Sequence, residues 1–204
     1  MSTESIPPPL TLRQFAGLPA QPTPLSESVV LVIDAQKEYT EGSLALDDID
    51  TSIEALARFL TRARAANAPI IHIVQVGKPG AKLFATDGPF FEIIDKVKPA
   101  DGETVIRKSL PSSFKGTTLE EELKKIGKKD LIVTGYMTHM CVNSTTRDAA
   151  ETGYRCTLAA DLTATRDLPD GKGGVIPASA VKAVHLAGLA DRFAIIVETA
   201  NEID

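Results

Sequence analysis

Apolar residues along the chain fall into two kinds of pattern. Val29-Val30-Leu31-Val32-Ile33 and Ile70-Ile71-His72-Ile73-Val74 are nearly continuous runs. Short runs rich in β-branched residues predict strands covered on both faces. Thr104-Val105-Ile106, Leu131-Ile132-Val133, Cys156 to Ala160 and Phe193 to Val197 predict further strands. Between these runs the apolar positions take helical spacing. Ile53, Leu56, Ala57, Leu60 and Ala63 mark one helix, with Arg58 and Arg62 on another face and Asn67 and Pro69 at its end. Leu119, Leu123 and Ile126 mark a second, opened near Thr117 or Thr118, with Glu120 to Glu122 near its positive end. Met140 to Thr152 predicts a third, closed by Gly153, and Val181, Val184, Leu186 and Leu189 a last one. Strands and helices in this alternation predict an α/β fold: a doubly wound (Rossmann-like) three-layer sandwich with a six-stranded, mostly parallel sheet.

Two stretches stand apart from that alternation. Residues 1–27 carry Pro7, Pro8, Pro9, Pro19, Pro22 and Pro24 and cannot hold a long helix. They are expected to form an arm packed on the surface or on a neighbouring subunit, or else a partly disordered tail. Residues 28–204 are expected to form one domain. The stretch from Gly77 to Gly102 holds Pro79, Gly80, Gly88, Pro89 and Pro99. Loops of that length in a compact domain usually serve a site or an interface. Phe84, Phe90 and Phe91 within it either wall a pocket or anchor the loop.

Composition narrows the partners. With 204 residues, 43% of them hydrophobic, the chain can bury one sizeable core. A net charge of -5 argues against a nucleic-acid platform, which needs a basic face. No apolar stretch is long enough to cross a bilayer. The N-terminus lacks a charged segment followed by an apolar run, so it does not read as a signal peptide. The expectation is a cytoplasmic protein whose two cysteines stay reduced.

Three reactive side chains fall at carboxyl ends of strands, where ligands collect in open α/β sheets. Asp34 closes the first strand, Lys108 closes the third, and Cys141 follows the fourth after Gly135-Tyr136-Met137-Thr138-His139-Met140. A thiol between a strand and a helix meets backbone N–H groups and a positive helix end, both of which favour thiolate. A carboxylate can take the thiol proton and return it to a leaving group, and an ammonium can stabilise the sulfur anion. Backbone N–H groups of Met137 and Cys141 are candidates for an oxyanion site. Each residue also has a plain reading: Asp34 as a turn former, Lys108 as a solvated strand end, Cys141 as a small buried hydrophobe. Their joint placement favours chemistry.

Val30-Leu31-Val32-Ile33-Asp34-Ala35-Gln36, Lys108 with Ser113-Phe114 and Thr118-Leu119 behind it, and Gly135 to Val142 resemble the isochorismatase-like cysteine hydrolases. The resemblance runs from Val29 to about Glu198. It implies a catalytic triad of Asp34, Lys108 and Cys141, and a cis peptide joining Tyr136 to Met137 that turns the Met137 N–H towards the oxyanion. It implies homo-oligomers too. Gln36 and Tyr39 follow the acid in the family's order, as an orienting group and a pocket wall, with loop packing the alternative for both. Phe114, expected near the pocket from or against a neighbouring subunit, Tyr136, Thr138 and His139 complete the candidate substrate pocket, with a surface role the alternative for His139. Arg147 and Arg166 read as solvated. The nicotinamidase branch holds a metal with an Asp-x-His pair and a further histidine after the second strand. Gln75 to Asp101 contains no histidine, so neither a metal nor another cofactor is expected. His72 reads as a core histidine, His185 as structural, and Cys156 as inert.

The chain is therefore expected to bind a small molecule and to cleave an amide-type C–N bond through a Cys141 thioester, without a metal. Enol ether hydrolysis of an isochorismate-type substrate is one alternative. A non-catalytic ligand-binding or thiol-sensing protein on the same scaffold is the other. A nucleotide-binding module is disfavoured, because Asp34-Ala35-Gln36-Lys37 stands where a glycine-rich phosphate loop would follow the first strand.

Overall fold

The structure, a computed structural model, describes residues 8–204. The buried runs form a central sheet: β1 (Ser28–Ile33), β2 (Ile70–Gln75), β3 (Thr104–Lys108), β4 (Asp130–Tyr136), β5 (Arg155–Ala159) and β9 (Ala194–Val197), in the order β3-β2-β1-β4-β5-β9. A short β6 (Thr163–Ala164) pairs with the end of β4. Every pairing in this sheet is parallel. The succession reverses between β1 and β4, and that switch point opens a crevice at the carboxyl ends of the strands. A feature absent from the sequence reading is an antiparallel hairpin of β7 (Leu168–Pro169) and β8 (Val175–Ile176).

The strands are buried on both faces because helices cover both. Val30, Val32 and Ile132 pack on one face with Leu56, Phe59 and Leu60 of α2 (Ile49–Ala65). Val29, Leu31, Ile33, Leu131 and Val133 point the other way. There they meet Leu119 and Leu123 of α3 (Leu119–Ile126), Ala149 of α4 (Asn143–Glu151), and Leu186 and Leu189 of α5 (Ala178–Arg192). The alternation is the period-two geometry of a strand. Burying each such large apolar side chain contributes roughly 1.5–3 kcal/mol. Val184, expected in the core, is 70% exposed, because the buried stripe of α5 runs through Ala178, Val181, Leu186 and Leu189 and Val184 falls outside its edge. The edge strand β3 alternates burial, with Val105 open and Ile106 and Lys108 inside.

Among its described residues, the arm meets the domain around Leu12 and again from Thr23 to Leu25. A single turn, α1 (Leu12–Phe15), is closed by a Thr11–Gln14 capping box, and its Leu12 N–H donates to Asp191 of α5. Further along, Thr23 donates to Asp130 and Leu25 is buried. The expected arm begins at residue 1, and its first seven residues lie outside those described.

One position joins the fold to the crevice. Gly135 is the register partner of Ile33, and its φ is 99°. A Cβ built there would lie 2.0 Å from the Ile33 carbonyl oxygen, so only glycine lets β4 pass this close to the end of β1. Gly135→Ala is expected to lower unfolding free energy by at least about 3 kcal/mol, the sum of a left-handed strain and a backbone clash. A urea midpoint within error of the wild type would refute this account of the crossing.

Candidate active site

Three strand ends bring the reactive groups together. Asp34 follows β1 in a left-handed conformation, φ 50°, with its N–H donating to the Ile73 carbonyl of β2. Lys108 is the last residue of β3. Cys141 follows β4, across a cis peptide between Tyr136 and Met137. Lys108 Nζ lies 2.7 Å from Asp34 Oδ2 and donates to Cys141 Sγ at 3.2 Å. A third Nζ contact, 2.7 Å to Gln75 Oε1, was not foreseen. Its signal was the final polar residue of an otherwise apolar second strand. Asp34 is 0% exposed, Lys108 1% and Cys141 6%, so the cluster is almost sealed from bulk water. Asp34 Oδ1 has no hydrogen-bond partner. Buried polar atoms are rarely left that way outside functional sites.

The surroundings disfavour a resting thiolate. Burial first, and then the Asp34 charge, push Cys141 up to about 12, against the opposing pull of Lys108. Burial likewise raises the Asp34 carboxyl, and the Lys108 charge restrains that rise. The expected helix start is also displaced. Thr138–Val142 forms a π-helical turn, and α4 begins only at Asn143. Cys141 thus sits ahead of the regular helix, where desolvation outweighs the helix's field.

Several expected pocket residues turn out to brace the site. Gln36 does not orient Asp34. Its Oε1 accepts the Gln75 N–H at 2.8 Å, and its Nε2 donates to the carbonyls of Gln75 and Phe91 at 3.0 and 2.8 Å. Tyr136 is fully buried and donates to Ser52. Thr138 donates to the Ala164 carbonyl at 3.0 Å, which ties the nucleophile turn to β6. Phe114 packs against Tyr154, with ring centroids 6.1 Å apart. The demand for complete backbone and side-chain hydrogen bonding in a buried crevice uses up these groups.

Other residues do border the cluster. Tyr39 is buried, makes edge contacts with Phe84 and Tyr136, and is raised by burial and by its proximity to Asp34 and Cys141. Phe84 anchors the long loop and also donates its N–H to Glu38. His139 meets Thr165 at 2.5 Å and is lowered by burial and by neighbouring His185 and Arg166. Arg166 departs from its solvated reading. Its Nε is sealed without a partner, its Nη1 donates only to the Asp167 carbonyl, and its charge reaches both Tyr39 and His139. His72 is a core histidine, bonded through Nε2 to Glu103 at 2.9 Å. Arg147 is not simply solvated either, since it lies over the Phe193 ring and donates to Asn143. Both cysteines are free. A groove of about 750 Å³ lies elsewhere, over the ends of β5 and β9, and no triad residue lines it. Among the described residues, no three His, Cys, Asp or Glu side chains converge as a metal site would require, and no helix is long and apolar enough to cross a membrane.

Comparison with known proteins places this arrangement. The Isochorismatase domain model matches residues 28–200. The crystal structure of an isochorismatase from Pseudomonas putida KT2440 superposes with a TM-score of 0.91 at 41% identity, covering 97% of this chain and 100% of that one. The secreted isochorismatase effector Isc1 of Verticillium dahliae is 40% identical over 93% of this chain and 97% of its own. The ureidoacrylate amidohydrolase RutB of Variovorax paradoxus is 29% identical over 72% of this chain and 73% of its own. A parallel sheet with its crevice at the β1–β4 switch point, and a family match across nearly the whole domain, establish that this chain belongs to the isochorismatase family of hydrolases.

Proposed function

We propose that the protein hydrolyses a small amide through a covalent Cys141 thioester. What carries the reading is Lys108 Nζ, in contact with Asp34 Oδ2 and Cys141 Sγ at once. As substrate enters, the Cys141 proton passes to Asp34 and the sulfur attacks the carbonyl carbon. Lys108 offsets the charge while it resides on sulfur. The Met137 and Cys141 N–H groups serve the oxyanion. Asp34 then gives its proton to the departing nitrogen, leaving a thioester. Water attacks the thioester, Asp34 takes the water's proton, and the proton returns to sulfur as the acid leaves. A base beside a protonated thiol fits this order of events better than a standing thiolate does.

Arg166 points to an anionic group on the substrate. A guanidinium with a buried, unpartnered Nε seeks a planar oxyanion, which carboxylate supplies. A relative named for ureidoacrylate has such a group in its substrate. A second reading is favoured by a different observation: two relatives near 40% identity carry the name isochorismatase. There Asp34 protonates an enol ether and the thiol is dispensable.

Cys141→Ala and Asp34→Asn separate the two. Under the thioester reading, each variant loses amide turnover by at least about a thousandfold, as removal of a nucleophile or its base does. A thioester adduct at Cys141 is seen by mass spectrometry in the active protein only. If Cys141→Ala keeps wild-type turnover and Asp34→Asn does not, the enol ether reading replaces the first. Arg166→Leu is expected to raise KM at least about tenfold for a carboxylate-bearing amide and to leave a neutral analogue unchanged. Equal effects on both would remove the anion subsite. In the free protein, alkylation of Cys141 by iodoacetamide is expected to rise with pH through 9 and beyond without a plateau, because the thiol titrates near 12. A plateau already at pH 7 would mean a resting thiolate.

A further inference from the structure

Gln75 and Lys108 are register partners at the ends of β2 and β3. Lys108 Nζ has Gln75 Oε1 at 2.7 Å, Asp34 Oδ2 at 2.7 Å and Cys141 Sγ at 3.2 Å. An ammonium carries three N–H donors and no acceptor; Gln75 Oε1 and Cys141 Sγ each accept one, and Asp34 Oδ2 stands at ion-pair distance. Two of the three are reacting groups, and the amide oxygen is not. Gln75 is itself held from behind. The buried Gln36 side chain brackets its backbone, accepting from its N–H at 2.8 Å and donating to its carbonyl at 3.0 Å. The Val76 N–H donates to the Lys108 carbonyl at 2.8 Å, which keeps the two strand ends in step.

The chemistry of that third corner is selective. A carboxylate there would place a second negative charge beside the sulfur and compete with Asp34 for the ammonium. An apolar side chain would leave one buried N–H unpaired, and the four-carbon stem of lysine is free to swing. A neutral carbonyl oxygen on a braced strand end avoids both.

We propose that Gln75 is a positioning residue that holds Lys108 Nζ between Asp34 and Cys141, so that the ammonium faces the sulfur as its proton leaves. Its consequence for turnover rests on the hydrolase reading above. Its geometric content belongs to the free protein and is tested there.

The variant is Gln75→Met, which keeps length and removes the acceptor. Gln75→Thr, suited to a strand end but too short to reach Nζ, serves if the first does not fold. Iodoacetamide labelling of Cys141, followed by peptide mass spectrometry against pH, reads the sulfur without any substrate. The labelling profile is expected to move to higher pH by about one unit, the worth of a lost hydrogen bond to a charged group. On any amide the wild type turns over, kcat is expected to fall at least about tenfold with KM within a factor of about three. Labelling profiles that superpose on the wild type overturn the proposal. So does a loss confined to KM, which would make Gln75 a substrate contact instead. A shifted labelling profile in a protein that hydrolyses no amide leaves the positioning role standing and removes the hydrolase reading.

Discussion

A buried ammonium is the constraint on which this protein is organised. Lys108 is 1% exposed, and stripping an ion of its water costs several kcal/mol even after relaxation. That cost is offset only if each N–H finds a partner at close range. Gln75 and Cys141 each accept an N–H, and Asp34 Oδ2 lies 2.7 Å away as the counterion. Remove the carboxylate and the charge is stranded; remove the ammonium and Asp34 is left charged with no counterion in the same dry crevice. The two ions therefore require one another, and the sulfur lies within the field of both.

The sheet is what makes the meeting possible. Asp34, Lys108 and Cys141 are far apart in sequence and reach one crevice because β1, β3 and β4 run parallel and end together. Fine adjustment falls to a few special positions. Gly135 lets β4 pass against the Ile33 carbonyl. The Thr138 hydroxyl ties the nucleophile turn to β6, and Gln36 braces the end of β2 and the long loop.

Electrostatics in that crevice run against a simple picture of a reactive cysteine. A sulfur near a helix start is expected to ionise easily. Here burial and a neighbouring carboxylate hold it up at about 12. Burial and the carboxylate thus work against ionisation of this sulfur in the free protein.

The sequence by itself determined the layering and the identity of the reactive groups. Buried strands announce themselves as β-branched runs, helices as spaced apolar stripes, and candidate sites as reactive side chains at or shortly after the end of a run; Asp34, Lys108 and Cys141 were all legible in this way. What only the tertiary structure decided depends on distance across the sheet. Gln75 is unremarkable in sequence and becomes the third partner of Lys108 through the β2–β3 register. Phe114 gains its contact with Tyr154 only through the packing of distant segments. Val184 fits a helical apolar pattern yet faces outward, and Arg166 reads as solvated yet has a sealed, unpartnered Nε. Periodicity reports which face of an element is apolar, but hydrogen-bond partners and desolvation depend on elements brought together from distant parts of the chain.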